Sequence, residues 1–556
     1  EVRRMGGGFG GKESQGNLPA CAAALAAAKT GRPAKCVYDR DDDMVVTGKR
    51  HDARIAYRVG FDETGRILGL EVDQEIRCGW SWDLSEPVAD RAMFHADNCY
   101  HLPAARIRSR RWRTHTCSNT AFRGFGGPQG MLGAEKVVED VARALGRDPL
   151  EVRRRTFYPS AAAVAAAPEP PEAARTPYGM LVEDCVIQEI VDALTESAGY
   201  ARRRDEIAAW NAAEPVLKRG LAIAPVKFGI SFTKSFMNQA GALVHVYSDG
   251  SVQLNHGGAE MGQGLFVKVA QVTADAFGLP LSAVKITATT TGKVPNTAPT
   301  AASSGTDLNG MAAQRAALAI RARMAARFAE EAGCAPEAVR FEEGRVRGGS
   351  LEMRFGALAR ACHLARVSLS STGFYATPKI SWDKASGTGR PFFYFAYGAA
   401  VVEAAVDALT GEHRLLAADI LHDCGRSLNP AIDIGQIEGG FVQGVGWLTT
   451  EELAWDREGR LRTHSPSTYK IPTAADRPRR MRIRLWERGE NREETIYRSK
   501  AVGEPPLMLA NAAFFAIADA VAACAPERGA TTPSPLHAPA TPERVLAAIA
   551  ALRGGG

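Results

Sequence analysis

The stretch RMGGGFGGKE, Arg4–Glu13, places five glycines around one phenylalanine near the beginning of a chain of 556 residues. Glycine lets the backbone turn sharply and lets another group approach the main chain closely. Gly6, Gly8 and Gly11 match the G-x-G-x-x-G pattern of dinucleotide-binding loops, but that fold needs an acidic residue about twenty positions later, and none stands there. The loop is therefore interpreted either as a tight turn or as a backbone cradle that offers N–H groups to a ligand.

Five further loops share this excess of small and polar residues and have little side chain to bury. They are Asn119–Gly130, Asn255–Gly264, Val294–Asp307, Asn429–Gly446 and Ser499–Leu507. Turns alone do not require so many such loops in one chain. We expect them to converge on one large polar ligand that is held mainly by main-chain donors and side-chain amides.

Two charged residues in these loops are candidates for chemistry. Glu504 lies between Gly503 and Pro505, and a carboxylate in a stiff, apolar loop is suited to a shifted pKa and to work as a base. The alternative is that Glu504 caps the helix that follows it. Arg123 stands among glycines, and its alternative is an ion pair in a packed corner.

Composition narrows the class of protein. The formal net charge is +6, without a long Lys/Arg run, so neither a nucleic-acid partner nor a membrane surface is expected. No apolar run is expected to reach the length of a membrane span. The ten cysteines form no C-x-x-C pair and lack zinc or iron–sulfur spacing, which predicts reduced, mostly buried thiols in a cytoplasmic protein.

Helical and strand patterns mix in both halves of the chain, which predicts an α+β fold of two or more domains. Alternating apolar residues around tight turns predict strand pairs at Ala53–Ile76, Ala242–Leu254 and Ala399–Gly425. Helices are predicted at Asn17–Pro33, Val182–Trp210, Gly310–Gly333 and Ala540–Arg553. The Ala/Pro-rich segment Ser160–Pro177 is typical of a linker.

Seven short segments occur in the same order in one protein family. They are GGGFGGKE (6–13), FRGFGGPQG (122–130), KFGISFT (227–233), GGAEMGQG (257–264), PTAAS (299–303), GQIEGGFVQG (435–444) and KAVGEPPL (500–507). From Arg4 to Pro542 the chain resembles the molybdenum-binding part of the xanthine dehydrogenase/oxidase family, in the bacterial arrangement in which this part is a separate large subunit. The strand-like start at Glu1–Arg4 is interpreted as the remainder of an N-terminally incomplete domain.

The resemblance implies two elongated mixed α/β molybdopterin-binding domains with the cofactor between them. It implies the remainder of the first domain at 1–158, a linker at 159–178, the second domain at 179–545 and a C-terminal tail at 546–556. The implied cofactor is molybdenum–molybdopterin with a sulfido ligand, expected in the cytosine dinucleotide form. Its pterin dithiolene holds the metal, so no protein residue is expected to ligate molybdenum directly.

The resemblance also implies a reaction, in which hypoxanthine and xanthine are oxidised to urate with water-derived oxygen. Glu504 matches the base that deprotonates the Mo–OH group, while hydride passes to the Mo=S sulfur. Arg91 matches the arginine that binds the purine oxygen, and Glu13 matches the second carboxylate that contacts the substrate. Aldehyde oxidases of the superfamily usually lack this charged pair. Lys234 departs from the apolar residue that is often found at its position.

Further residues match binding positions of the family. Phe125 and Phe232 correspond to the two rings that sandwich the substrate, and the residues that border it are Thr233, Leu84, Ala301 and Ala302. The matches to cofactor-binding positions are Gly8, Phe9, Phe122, Arg123, Met261, Gly262, Gln263, Ser303 and Gln436. Phe9, Arg123 and Ala302 are expected nearest to the metal.

Electrons must leave the molybdenum centre, and this chain has no iron–sulfur motif. The resemblance therefore implies a partner subunit with [2Fe–2S] clusters and FAD, with NAD⁺ or O₂ as final acceptor, in a dimer of heterodimers. Three alternatives stay open: a related hydroxylase for another N-heterocycle or an aldehyde, an NAD-binding dehydrogenase built on the glycine loop, and a non-catalytic assembly subunit. The intact Glu504, Arg91 and Glu13 argue against the last.

Overall fold

The computed structural model describes residues 1–293, 297–525 and 531–554, so the beginning of the predicted loop Val294–Asp307 and the end of the predicted tail 546–556 lie outside the described residues. The described helices are α1 (Asn17–Thr30), α2 (Arg40–Val46), α3 (Ser85–Phe94), α4 (Gly127–Leu145), α5 (Pro149–Thr156), α6 (Ala161–Ala166), α7 (Ile187–Ala198), α8 (Tyr200–Ala213), α9 (Leu265–Ala276), α10 (Gly305–Ala332), α11 (Phe355–Leu364), α12 (Pro430–Thr449), α13 (Asn511–Ala523) and α14 (Pro542–Arg553).

The described strands are β1 (Ala53–Phe61), β2 (Ile67–Gly79), β3 (Ala105–Arg113), β4 (Leu217–Ile230), β5 (Gln239–Val246), β6 (Val252–His256), β7 (Val284–Ile286), β8 (Arg340–Glu342), β9 (Arg345–Gly348), β10 (Leu351–Arg354), β11 (Ser370–Ala376), β12 (Ser381–Asp383), β13 (Thr388–Arg390), β14 (Tyr394–Asp407), β15 (His413–His422) and β16 (Arg480–Leu485). The three larger sheets have the orders β1-β2-β3, β11-β5-β6-β7 and β16-β15-β14-β4. Each is antiparallel except for one parallel pair at an edge. This mixture of helices and sheets confirms the predicted α+β class.

The pair β4–β14 forms the centre of the molecule. Alternate residues of a strand point to opposite faces, and both faces of β4 are covered. Phe228 and its neighbours on one face belong to an apolar core with α13, whereas Ile223 on the other face belongs to a core with residues of α4 and α7. A strand that is buried on both faces needs a continuous apolar run, and β4 carries one in LAIAPV.

The segment Pro505–Ala523 corrects one prediction. It is 19 residues long with a mean hydropathy of 1.6, so by length and composition it is apolar enough to span a membrane. In the structure 89% of that window is buried inside the protein, because α13 packs on β4 and β14. The apolar run is therefore accounted for by the core.

The predicted strand pairs are confirmed as β1–β2, β5–β6 and β14–β15. The helix predicted at Val182–Trp210 is wrong as one element, because Gly199 ends α7 with a φ of +64° and α8 begins directly after it. The proposed linker contains the short helix α6, and Val164 and Ala174 within it are buried.

Gly126 should be sensitive to substitution, because it combines a strained backbone with a close contact. Its φ is +94°, and a Cβ atom would lie 1.9 Å from the carbonyl oxygen of Val88 in α3. Gly146 has a φ of +62° but open space around its Cα atom. The positive φ costs about 1–2 kcal/mol at either site, so we expect Gly126→Ala to lower the thermal midpoint clearly more than Gly146→Ala. Equal shifts, measured by circular dichroism, would contradict the packing argument.

Candidate functional site

One cavity of about 820 Å³ lies where the glycine-rich loops meet. Its wall takes residues from both ends of the described chain. The predicted site residues that line it are Gly8, Phe9, Glu13, Leu84, Arg91, Phe122, Arg123, Phe125, Phe232, Thr233, Met261, Gly262, Gln263, Ala301, Ala302, Ser303, Gln436 and Glu504. The structure thus brings the whole predicted set together, and the role of each residue stays a prediction.

The opening glycine loop forms part of this wall. Phe9 has a φ of +50°. A Cβ atom on Gly8 would lie 2.4 Å from the Met261 sulfur, and one on Gly10 would lie 3.0 Å from the main chain of Ala121. The glycines therefore allow close packing between loops that are far apart in sequence, as the cradle interpretation requires.

Glu504 has both carboxylate oxygens held in place. The main-chain N–H of Gly124 donates to Oε1 at 3.2 Å, and the Ser303 hydroxyl donates to Oε2 at 2.8 Å. The Glu504 N–H in turn donates to Ser303 Oγ at 2.8 Å. The side chain makes no capping hydrogen bond to the 3₁₀ turn Pro505–Ala510 that follows. The alternative capping role is therefore wrong, and the carboxylate faces the cavity.

The backbone that presents the Ser303 hydroxyl is strained. Ala302 and Ser303 have φ values of +56° and +57°, a region that costs a non-glycine residue about 1–2 kcal/mol. Gly503 permits the close approach, since a Cβ atom there would lie 3.0 Å from Ser303 Oγ. Strain of this kind persists where the surroundings hold it in place, and it is typical of functional sites.

Arg123 links its own loop to the loop at Gly503 and to helix α12 through hydrogen bonds. The prediction of a loop at Asn429–Gly446 is wrong, because α12 begins directly after Asn429, whose side chain caps it. It donates from Nε to the Gly503 oxygen at 2.6 Å, from Nη1 to Gln443 Oε1 at 3.2 Å and from Nη2 to the Gln436 oxygen at 3.1 Å. Burial lowers the pKa of Arg123 to about 10, although the Glu504 carboxylate opposes this shift. No carboxylate lies within 4.0 Å of this guanidinium among the described residues, so the alternative ion pair is wrong.

Arg91 is a buried cation without a carboxylate partner in the described part of the chain. It donates to the main-chain oxygens of Ser231, at 3.0 Å, and Gly229. Its guanidinium carbon lies 4.6 Å from the ring centroid of Phe228 and 5.2 Å from that of Phe392. Burial lowers its pKa. Because a buried charge is costly without a partner, this wall favours a ligand that brings an oxygen acceptor.

The loop that carries Phe232 is fixed by Asn238, which sequence reasoning missed. Asn238 is buried, its Oδ1 accepts from the Phe232 N–H at 2.8 Å, and its Nδ2 donates to the Phe232 oxygen at 2.9 Å and the Lys234 oxygen at 3.2 Å. Lys234 and Phe236 are exposed on the open side of the cavity. Asparagine side chains often form hydrogen bonds to the main chain of their own turn. The asparagine that begins the segment NQAG (238–241) therefore gave a signal for this turn in the sequence.

Glu13 is a desolvated carboxyl group in the wall of the cavity. Desolvation raises the pKa of Glu13 to about 7, and the carboxylates of Glu504 and Asp83 add to the shift. A carboxyl group with such a pKa exists in both protonation states near neutral pH, so it can donate or accept a hydrogen bond. This property suits a group that contacts a heterocycle carrying both N–H groups and ring nitrogens.

Gln263 uses its amide within its own loop. Its Oε1 accepts from the Met261 N–H at 2.6 Å, and its Nε2 donates to the Ala259 oxygen at 3.0 Å. Gln263 therefore shapes the wall of the cavity in this structure. Gln436 contributes its main-chain oxygen to Arg123, while its side chain borders the cavity.

Four buried charged residues of the wall, Lys268, Asp307, Asp433 and Lys500, were missed by sequence reasoning. Lys268 in α9 is paired with Asp433 in α12, Lys500 with Asp184 and Asp423, and Asp307 in α10 accepts from the Tyr394 hydroxyl at 2.7 Å. Burial raises the pKa of Asp307 to about 7. Lys268, Asp307 and Asp433 lie in helices, where charges usually mark a solvated face. The partners of all four residues lie far away in the sequence.

Comparisons of sequence and of structure with known proteins point to molybdopterin-binding proteins. Residues 1–157 and 193–478 match models of the molybdopterin cofactor-binding domain. A xanthine dehydrogenase from Oryza sativa subsp. japonica is 46% identical over 552 residues, which span 98% of this chain and 38% of the relative. Quinoline 2-oxidoreductase from Pseudomonas putida 86 has a TM-score of 0.85 at 26% identity, covering 98% of this chain and 68% of that chain. Aldehyde oxidoreductase from Desulfovibrio desulfuricans ATCC 27774 has a TM-score of 0.80 at 25% identity, with 98% and 54% covered.

The wall of the cavity fits a molybdopterin group. Space is open around the Cα atoms of Gly6 and Gly262, which line the cavity. The buried cation Arg123 has no carboxylate within 4.0 Å among the residues that the structure describes. Within the described ranges, no three His, Cys, Asp or Glu side chains come together to hold a metal ion. The buried cations Arg91 and Arg123 both line the cavity, and they suit a ligand that carries negative charge.

Asp307 should make the stability of the cofactor-free protein depend on pH. Folding raises its pKa from 3.8 to about 7, so the stabilisation from its protonated form is present below the unfolded pKa and is lost as the pH rises through the folded pKa. We expect Asp307→Asn, which keeps an acceptor for Tyr394, to raise the thermal midpoint relative to the wild type increasingly between about pH 4 and pH 7.

The control for this experiment is Asp249→Asn. The Ser251 hydroxyl lowers the pKa of Asp249, so its carboxylate stabilises the fold above the unfolded pKa and this variant should be destabilised there. A difference between Asp307→Asn and the wild type that stays constant with pH would contradict the raised pKa.

Proposed function

We propose that this chain, which belongs to the molybdopterin-binding part of the xanthine dehydrogenase/oxidase family, is the part of an oxidoreductase that hydroxylates hypoxanthine and xanthine, with urate as the final product. The observation that supports a purine as the substrate is that Arg91 and Glu13 line the same cavity as Glu504. A purine presents ring nitrogens and carbonyl oxygens to two charged side chains, whereas a simple aldehyde presents one carbonyl group.

The cofactor would be molybdenum–molybdopterin with a sulfido ligand, in the cytosine dinucleotide form. When bound, it supplies the oxygen that enters the heterocycle and accepts two electrons. The residues that would hold it are Gly8, Phe9, Phe122, Arg123, Met261, Gly262, Gln263, Ser303 and Gln436. Phe9, Arg123 and Ala302 would lie nearest to the metal, and no side chain of this protein would ligate it.

The substrate would lie between the rings of Phe125 and Phe232, with Leu84, Thr233, Ala301 and Ala302 around it. Stacking restricts a flat heterocycle to one plane and thereby orients the reacting carbon. Arg91 would bind a purine oxygen and stabilise the negative charge that develops on it. Glu13 would bind the far side of the ring.

Glu504 would act as the general base. Its carboxylate is already oriented by Ser303 and by the Gly124 N–H, so little reorganisation is needed during the reaction. Each carboxylate oxygen accepts only one of these hydrogen bonds, so each keeps a lone pair that could take up the proton of the attacking oxygen nucleophile.

The remaining parts of the proposal concern the assembly. A partner subunit would carry [2Fe–2S] clusters and FAD and pass electrons to NAD⁺ or O₂, in a cytoplasmic dimer of heterodimers. Within this chain, 1–158 and 179–545 would be the two cofactor-binding domains, joined by 159–178 and followed by the tail 546–556. The chain spans 38% of the length of its rice relative, so the activity has to be tested on the whole protein.

A second candidate is a hydroxylase for another N-heterocycle or an aldehyde. Lys234 favours it, because an exposed cation on the open side of the cavity changes which substrates enter. The test is to isolate the full-length protein with its redox partner and to measure molybdenum per protomer together with urate formation. Molybdenum without urate would favour the second candidate, and folded protein without molybdenum would contradict both.

Glu504→Gln removes the base and keeps the size of the side chain. We expect it to lower kcat for xanthine by about 10²–10⁴-fold with an unchanged molybdenum content, measured by steady-state kinetics and mass spectrometry. Ser303→Ala keeps the carboxylate and loses one of its donors, so its loss should be smaller. Turnover of Glu504→Gln at the wild-type rate would rule out the assignment.

Arg91→Met removes the cation and keeps an unbranched side chain. Because Arg91 would stabilise charge on a purine oxygen, we expect kcat/KM for xanthine to fall by about 10²–10³-fold, while turnover of an aromatic aldehyde falls less. Arg108→Met, on the exposed face of β3, is the control and should leave both unchanged. Equal losses on both substrates would mean that Arg91 has a structural role.

A further inference from the structure

The peptide unit between Arg123 and Gly124 makes a side-chain hydrogen bond through its carbonyl oxygen and another through its N–H group. Its carbonyl oxygen accepts a hydrogen bond from Arg50 Nη2 at 3.1 Å, and its N–H donates to Glu504 Oε1 at 3.2 Å. Arg50 and Glu504 therefore interact through one amide group. Hydrogen bonds in a chain polarise each other, so a donor on the carbonyl strengthens the N–H as a donor.

Arg50 is held in place by aromatic rings. Its guanidinium carbon lies 4.1 Å from the ring centroid of Phe122 and 4.9 Å from that of Trp447 in α12. No carboxylate lies within 4.0 Å of it in the described ranges. Burial lowers the pKa of Arg50 to about 9, and the carboxylate of Glu451 is the strongest opposing charge. The side chain is therefore a cation at neutral pH whose position is set by two rings.

We propose that Arg50 is a positioning residue for Glu504, which orients and polarises the Gly124 N–H and so favours the ionised carboxylate. This inference rests on the proposed function, in which Glu504 is the base. Arg50 is separated from the carboxylate by the peptide unit and acts through it. The conformation of Gly124 supports this geometry, since its φ is +95° and a Cβ atom would lie 2.4 Å from Pro128.

Several other charged groups interact electrostatically with the Glu504 carboxylate. The Glu504 carboxylate acts to raise the pKa of Arg91, Arg123 and Glu13, although burial is the larger influence on each of these groups. The other charged side chains of the wall are Lys234, Lys268, Lys500, Asp307 and Asp433. Of these, Lys268, Lys500, Asp307 and Asp433 have partners of their own. Loss of Arg50 removes one favourable charge and weakens one donor, so the neutral acid becomes easier to form.

The test is Arg50→Met in the complete holoenzyme, because methionine keeps an unbranched side chain over the two rings. We expect the acidic limb of kcat/KM against pH to move upward by about 0.5–1 pH unit with unchanged molybdenum content and thermal midpoint. Activity should return towards the wild-type value at higher pH. Arg50→Lys keeps the charge and should move the limb less. Arg50→Met is also measured in the Glu13→Gln variant, where we expect the same shift of the acidic limb. That result would show that titration of Glu13 does not cause the shift.

An unchanged acidic limb, or a loss of equal size at every pH, would overturn the proposal. If Arg50→Met does not fold, Arg50→Gln keeps an N–H donor without the charge and should give a smaller shift in the same direction; an unchanged limb there overturns the proposal too. Glu504→Gln is measured alongside. If it turns over xanthine normally, the proposed base is wrong whatever Arg50 does, so the two failures are distinguishable.

Discussion

The antiparallel pairing of β4 with β14 is the constraint on which both the core and the cavity depend. The two strands are buried on both faces, and helices from the two halves of the chain pack against them. The C-terminal end of β4 leads to the cavity, where Gly229 and Ser231 supply the acceptors for Arg91. Phe232 follows at once. The core thus determines where one side of the site lies.

Another part of the cavity wall is formed by irregular backbone. Phe9, Phe125, Ala302 and Ser303 all have positive φ values, and all line the cavity. Such conformations are costly for residues with a Cβ atom, so the hydrogen bonds and close contacts between the loops have to offset them. The end of β4 and these strained loops together form a wall in which main-chain groups have fixed directions.

The sequence was most informative where function is carried by local motifs. The glycine-rich loops and the strand pairs could be predicted because tight turns and alternating residues leave local signals. The pairing of Asp307 with Tyr394 left none, since the two residues are 87 positions apart and Asp307 begins an amphipathic helix. The break at Gly199 did leave a local signal, since glycine commonly ends a helix in the left-handed conformation, but sequence reasoning missed it. The length of the apolar run Pro505–Ala523 was also underestimated, and only tertiary packing shows that the core covers it.

The direct connection between Glu504 and the core segment Pro505–Ala523 has a consequence for how this protein can change. The carboxylate is followed immediately by residues that pack on β4 and β14, so there is no flexible segment to absorb a shift of the helix. A substitution that shifts this segment would therefore move the carboxylate that we propose as the base. We expect substitutions in this part of the core to reduce the proposed activity before they unfold the protein.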